Sequence, residues 1–178
     1  MTNTKNDPLL TVARVAIRIL QILLGIATAA LVFAIPFVLF GRDLIQREMR
    51  EETGNLAAVF PHWEVAGLLV VFLATVILTF LFLRKLLAII DTVGEGDPFV
   101  PANAERLTHM AWLMVAVQGL ALALVPLIVR VQLAFEEVDP TMDAELDLGG
   151  IVLAITLFIL ARVFRHGAAM RADLEGTV

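Results

Sequence analysis

The sequence predicts an all-α protein: a four-span antiparallel transmembrane helix bundle with both termini cytoplasmic. Three observations carry that expectation. Of the 178 residues, 60% are apolar and 17% charged, and the mean hydropathy of +0.89 lies well above the balance of a soluble domain. The charges are bunched between four long apolar runs, more apolar sequence than one soluble core of this length can hide. The 13 Lys and Arg residues also fall unevenly on the two sides that four crossings would create.

A membrane helix needs about 20 apolar residues to cross a hydrocarbon core of roughly 30 Å. The spans are expected at about 19–40, 63–83, 110–129 and 148–165. Arg84 and Lys85 close the second, and Arg130 closes the third. In the fourth, only the 14 residues Leu148 to Ala161 precede Arg162, so its helix is expected to continue unbroken through Phe164 to about Asp173. Arg162 and Arg165 would then snorkel, with their stems in lipid and their heads at the phosphates. The first span reads as a permanent helix. Its apolar region is too long for a signal peptide, and Phe40-Gly41-Arg42-Asp43 offers no small-x-small cleavage site.

Orientation follows from basic residues. Nine lie on one side: Lys5, Arg14, Arg18, Arg84, Lys85, Arg106, Arg162, Arg165 and Arg171. Four lie on the other: Arg42, Arg47, Arg50 and Arg130. The positive-inside rule therefore puts both termini in the cytoplasm, with the acidic third loop around Glu137 outside.

Between the spans, Asp43, Arg47 and Glu51 form opposite-charge pairs at i, i+4, so the first helix is expected to run past the bilayer until Gly54-Asn55 stops it. Pro36 and Pro126 each remove a backbone donor, freeing the carbonyls of Val32 and Leu122, and a kink is expected at each. Gly25 with Ala29, and Gly119 with Ala123, are small-xxx-small pairs that let helices approach closely, within one chain or in a homo-oligomer.

The middle loop, Asp91 to Pro101, is dense in turn formers. Asn103 fits a helix N-cap, with Ala104-Glu105-Arg106-Leu107 opening the helix behind it. Phe99 and Val100 are apolar residues in a polar loop; they tuck against the end of the bundle or serve as a docking knob for a partner.

Catalytic chemistry is hard to assemble. The chain has no cysteine and no serine, which removes disulfides, thiolate metal sites and both nucleophiles. Gly94-x-Gly96 lacks the third glycine and the preceding strand of a dinucleotide fingerprint and reads as a turn. Glu105 and His109 share a helix face, but no third metal ligand is evident. The acids of the third loop follow no calcium-loop spacing and read as a solvated charge run. The span interiors carry Gln21, Gln118 and threonines and no charged group, unlike pumps and transporters. A pI near 5.1 argues against direct nucleic-acid binding. No cofactor and no metal are expected.

Two stretches carry a family resemblance. Gly94-Glu95-Gly96-Asp97-Pro98-Phe99, followed by Asn103 and Arg106-Leu107, resembles the middle-loop signature of a bacterial membrane family catalogued as domain of unknown function 2975. Leu160-Ala161-Arg162-Val163-Phe164-Arg165-His166-Gly167, then Asp173-Leu174-Glu175-Gly176-Thr177-Val178, is similar to its second signature. The resemblance implies four spans in matching places in a cell inner membrane and assigns no activity. Because members are commonly encoded beside a small helix-turn-helix regulator, it also implies a membrane sensor or sequestering partner for such a protein.

The expected function is therefore a non-enzymatic membrane protein that binds a small cytoplasmic DNA-binding regulator. The alternatives are a small transport or channel component and, after it, a membrane enzyme. The candidate partner-binding residues are Gly94, Gly96, Asp97, Pro98, Phe99 and Asn103 in the middle loop, with Leu174, Glu175, Gly176, Thr177 and Val178 in the tail.

Overall fold

The structure, a computed structural model, describes residues 8–53, 59–134 and 148–175. Its elements are all helices: α1 (Pro8–Phe40), α2 (Arg42–Thr53), α3 (His62–Gly94), α4 (Pro101–Ala134) and α5 (Leu148–Glu175). Four of them, α1, α3, α4 and α5, are long and apolar enough to cross a membrane. With 33, 33, 34 and 28 residues, they outrun the roughly 20 needed to span, so each carries extra turns beyond its apolar run. Pro36 lies inside α1 and Pro126 inside α4, and neither ends its helix.

α5 runs without interruption past Arg162 and through Gly167 to Glu175, as the short fourth apolar run required. The first helix departs from expectation. It stops at Phe40, and a separate polar helix, α2, begins at Arg42. The break is Gly41, whose N–H still bonds Phe37 O at 2.8 Å while its own carbonyl accepts from Leu44 N at 3.0 Å and Ile45 N at 3.1 Å. A Cβ at position 41 would stand 2.6 Å from Phe37 O, so only glycine fits this turn. Asp43 pairs with its neighbour Arg42 at 3.6 Å, an exposed contact of little energetic weight. Gly54-Asn55 and the acidic third loop lie outside the described residues.

By packing, the chain divides into two units, one comprising 1–25, 78–118 and 147–178, the other 26–77 and 119–146. The first unit holds the start of α1, the end of α3, the start of α4 and all of α5, and the contacts of Phe99 with Phe164 and of Asp97 with Arg171 bring the end of α5 to the turn between α3 and α4. Its core is Ile89, Leu107, Met110, Ala111, Leu157 and Ala161, walled by Phe82, Phe158 and Phe164. Alanines at 111 and 161 let helix backbones close in, the device that replaces the hydrophobic effect where the surroundings are already apolar. Trp112 stacks edge-on against Phe158, centroids 5.4 Å apart.

In the second unit Gly67 of α3 lies under Leu127 of α4, and a Cβ there would meet Leu127 Cδ2 at 3.3 Å. The Gln46 side-chain oxygen of α2 accepts from Phe60 N at 2.7 Å, tying α2 to the start of α3. The small-residue pairs do not serve this packing: Cβ atoms at Gly25 and Gly119 would meet nothing within 4 Å, and Ala29 and Ala123 are exposed. The close approach came from a glycine without a small partner at the right spacing, so the pair rule pointed elsewhere.

Candidate functional site

The turn between α3 and α4 is built by glycine and closed by hydrogen bonds. Gly96 has φ of 89°, in the left-handed region, with its N–H bonded to Val93 O at 3.0 Å and Asp97 N–H bonded to Thr92 O at 3.1 Å. That pair of bonds is the Schellman motif, which satisfies the last carbonyls of α3 with a left-handed glycine two residues past Gly94.

α4 begins at Pro101, not at Asn103. Proline suits a first helical position because its missing N–H has no partner there anyway. Asn103 therefore sits two residues inside the helix, within its first turn, and is not the N-cap. It is fully buried, and its N–H reaches Val100 O at 2.9 Å. Its Nδ2 donates to Thr92 Oγ1 at 2.8 Å and to Pro98 O at 2.9 Å, while its Oδ1 accepts from Arg106 at 2.8 Å. One side chain thus staples the end of α3, the loop and the start of α4.

Two arginines complete the end of α3. Arg106 donates to Ala88 O at 3.0 Å, and Arg14 of α1 reaches Ile90 O at 3.5 Å with its Nε 3.0 Å from Asp91 Oδ1. Cations beside the C-terminal carbonyls of a helix are stabilised by its dipole. Gly94 is buried against the Arg14 guanidinium, which occupies the space where a Cβ would stand.

The loop then docks on α5. The Phe99 ring lies against Phe164, centroids 5.3 Å apart, and covers Gly167, where a Cβ would come within 2.8 Å of Phe99 Cδ1. Arg171 pairs with Asp97. The structure thus brings Gly94 at the end of α3, Gly96, Asp97, Pro98 and Phe99 in the loop, and Asn103 in the first turn of α4 together, and fastens the loop to α5. Within that group Phe99 is 41% exposed, and Gly94 and Asn103 are buried.

Of the tail residues, Leu174 lies on the last turn of α5 and is 71% exposed, and Glu175 is the final residue of that helix. Gly176, Thr177 and Val178 lie outside the described residues. Sequence reasoning missed the bonds of Thr92, Arg14 and the capping role of Arg106; Arg14 registers in a sequence only as one of the basic residues counted for orientation, and Arg106 only as that and as part of the helix opening and the family stretch.

Among the described residues, no group of three His, Asp or Glu side chains could hold a metal ion, and Glu105 and His109 are both exposed. A groove of about 580 Å³ opens beside Phe99, lined by Ile159, Arg162, Val163, His166 and Met170 of α5.

Four long apolar helices, with the α3–α4 turn clamped onto the end of α5, define a multi-pass membrane protein. The family described as protein of unknown function, DUF2975, matches residues 46–178 and so takes in both quoted stretches. The chain belongs to that family. α1 lies ahead of the matched range. No curated protein and no solved structure matched.

Proposed function

We propose that this is a non-enzymatic membrane protein that docks a small soluble protein, a DNA-binding regulator, on one cytoplasmic surface built from the α3–α4 loop and the end of α5. The observation that supports this is the clamp itself. Phe99 on Phe164 and Gly167, together with the Asp97–Arg171 ion pair, make two segments far apart in sequence into a single preorganised face. Preorganised faces lose little entropy on binding. This face presents Phe99, Met170 and Leu174, 41%, 54% and 71% exposed, beside charged groups, the mixture of apolar anchors and polar rim that protein docking uses. The nine-to-four basic asymmetry supports placing it, and both termini, in the cytoplasm of a cell inner membrane.

Co-purification tests the reading. A small helix-turn-helix regulator of the kind that the family resemblance implies would be co-expressed with the wild type, with Phe99→Ala and with a chain ending after Arg171. The wild type should retain it and the other two should lose it, with all three equally helical. Equal recovery from all three would overturn the proposal.

A further inference from the structure

We infer that the groove beside Phe99 binds one anionic phospholipid, with its phosphate at Arg162 and His166 and an acyl chain laid against Val163 and Ile159. The inference begins with length. The apolar run of α5 holds 14 residues before Arg162, about 21 Å at 1.5 Å per residue. A hydrocarbon core of about 30 Å is longer, so Arg162 meets the bilayer at or below the phosphates.

Arg162 and His166 are both exposed and one turn apart, hence on one face of α5. Ion pairs among the described residues engage Arg14, Arg42 and Arg171, and none engages Arg162. A guanidinium facing outward at that depth needs an anion, and the bilayer itself supplies the lipid phosphodiester. The planar fork of arginine matches two phosphate oxygens, and an imidazole N–H one turn on can reach a third.

Toward the apolar run the wall is Ile159 and Val163, while Met170, a turn beyond His166, and Phe99, packed on Gly167, close the groove at its other end. The volume of about 580 Å³ falls within the range of small-ligand clefts, roughly 300–1,000 Å³. Basic groups above an apolar trough favour a headgroup without an ammonium of its own, because a choline would meet Arg162 with like charge. The site shares Phe99 and Met170 with the docking face but does not rest on the docking reading, since Arg162 and Val163 take no part in that surface. Each proposal fails on its own test.

The test uses the full chain, purified in mild detergent and delipidated, with bound lipid counted by native mass spectrometry. Phosphatidylglycerol should bind once per chain, at least about tenfold more tightly than phosphatidylcholine, the loss expected for one charge-assisted contact. Arg162→Gln should weaken it on the order of tenfold. Val163→Trp, which fills the trough and leaves the charges alone, should abolish it, while Arg130→Gln, near the far end of α4, should leave it unchanged. Helical content by circular dichroism should match the wild type in every variant. Inorganic phosphate at equal concentration should not displace the lipid. Equal binding of phosphatidylcholine, retention by either groove variant, equal loss from Arg130→Gln, or full displacement by inorganic phosphate would each overturn the assignment.

Discussion

Gly167 exists where it does because the Phe99 ring lies on it: a Cβ at 167 would stand 2.8 Å from Phe99 Cδ1 and 3.0 Å from Cε1. A mid-helix glycine costs about 1 kcal/mol relative to alanine, and here α5 carries that cost at the spot where the loop docks. The two residues therefore form a coupled pair. Gly167→Ala alone should fail to stabilise the protein, because the ring must move off Phe164. In a Phe99→Ala background the same change should stabilise by about 1 kcal/mol. A double-mutant cycle on thermal midpoints in detergent checks this, and additive effects would contradict it.

Asn103 is a buried polar group with both side-chain donors used and its carbonyl oxygen bonded to Arg106. Asn103→Ala should destabilise by about 1–3 kcal/mol, leaving Pro98 O and part of Arg106 without a partner. Asn103→Asp should recover little, since a carboxylate cannot donate to Thr92 and Pro98 as Nδ2 does. Thermal unfolding followed by circular dichroism measures both, and a variant as stable as the wild type would contradict the staple.

At Gly96 the backbone, not the packing, sets the expectation. With φ at 89°, Gly96→Ala should cost about 1–2 kcal/mol through strain alone. Gly96→Asn should cost less, because asparagine tolerates the left-handed region. The ranking of the three midpoints is the readout.

The Asp97–Arg171 pair should matter little to stability. Both side chains are more than a third exposed, 36% and 49%, so solvent screens them. Asp97→Asn should shift the unfolding free energy by less than about 1 kcal/mol, and the shift should shrink further at high salt. A large, salt-insensitive loss would mean the pair carries the clamp in place of the aromatic contact.

Much of this fold was legible in the sequence, and the reasons are specific. Apolar runs report membrane helices directly because lipid forces every backbone group to bond within its own helix. The shortness of the run ending at Ala161 indicated that α5 must continue, and it does. The Gly94–Gly96 turn announced itself through glycine. Contacts between distant residues were illegible. Arg14 lies 76 residues from the carbonyl it reaches, and nothing local distinguishes it from Arg18. Asn103 looked like an N-cap because caps and buried loop staples favour the same short amide. Gly41 was read as a helix continuing through favourable charge pairs, when a glycine flanked by a polar run was instead the signal of a break.

Which side of the membrane the Phe99–Leu174 face occupies decides whether a DNA-binding partner can reach it at all. The chain has no cysteine, so single cysteines report cleanly. Leu174→Cys, at a position 71% exposed, and Arg47→Cys on α2 would each be treated in intact cells with a membrane-impermeant maleimide, then again after permeabilisation. The account predicts that Cys at 174 labels only after permeabilisation and that Cys at 47 labels in intact cells. Labelling of position 174 in intact cells would contradict the topology and the docking function with it.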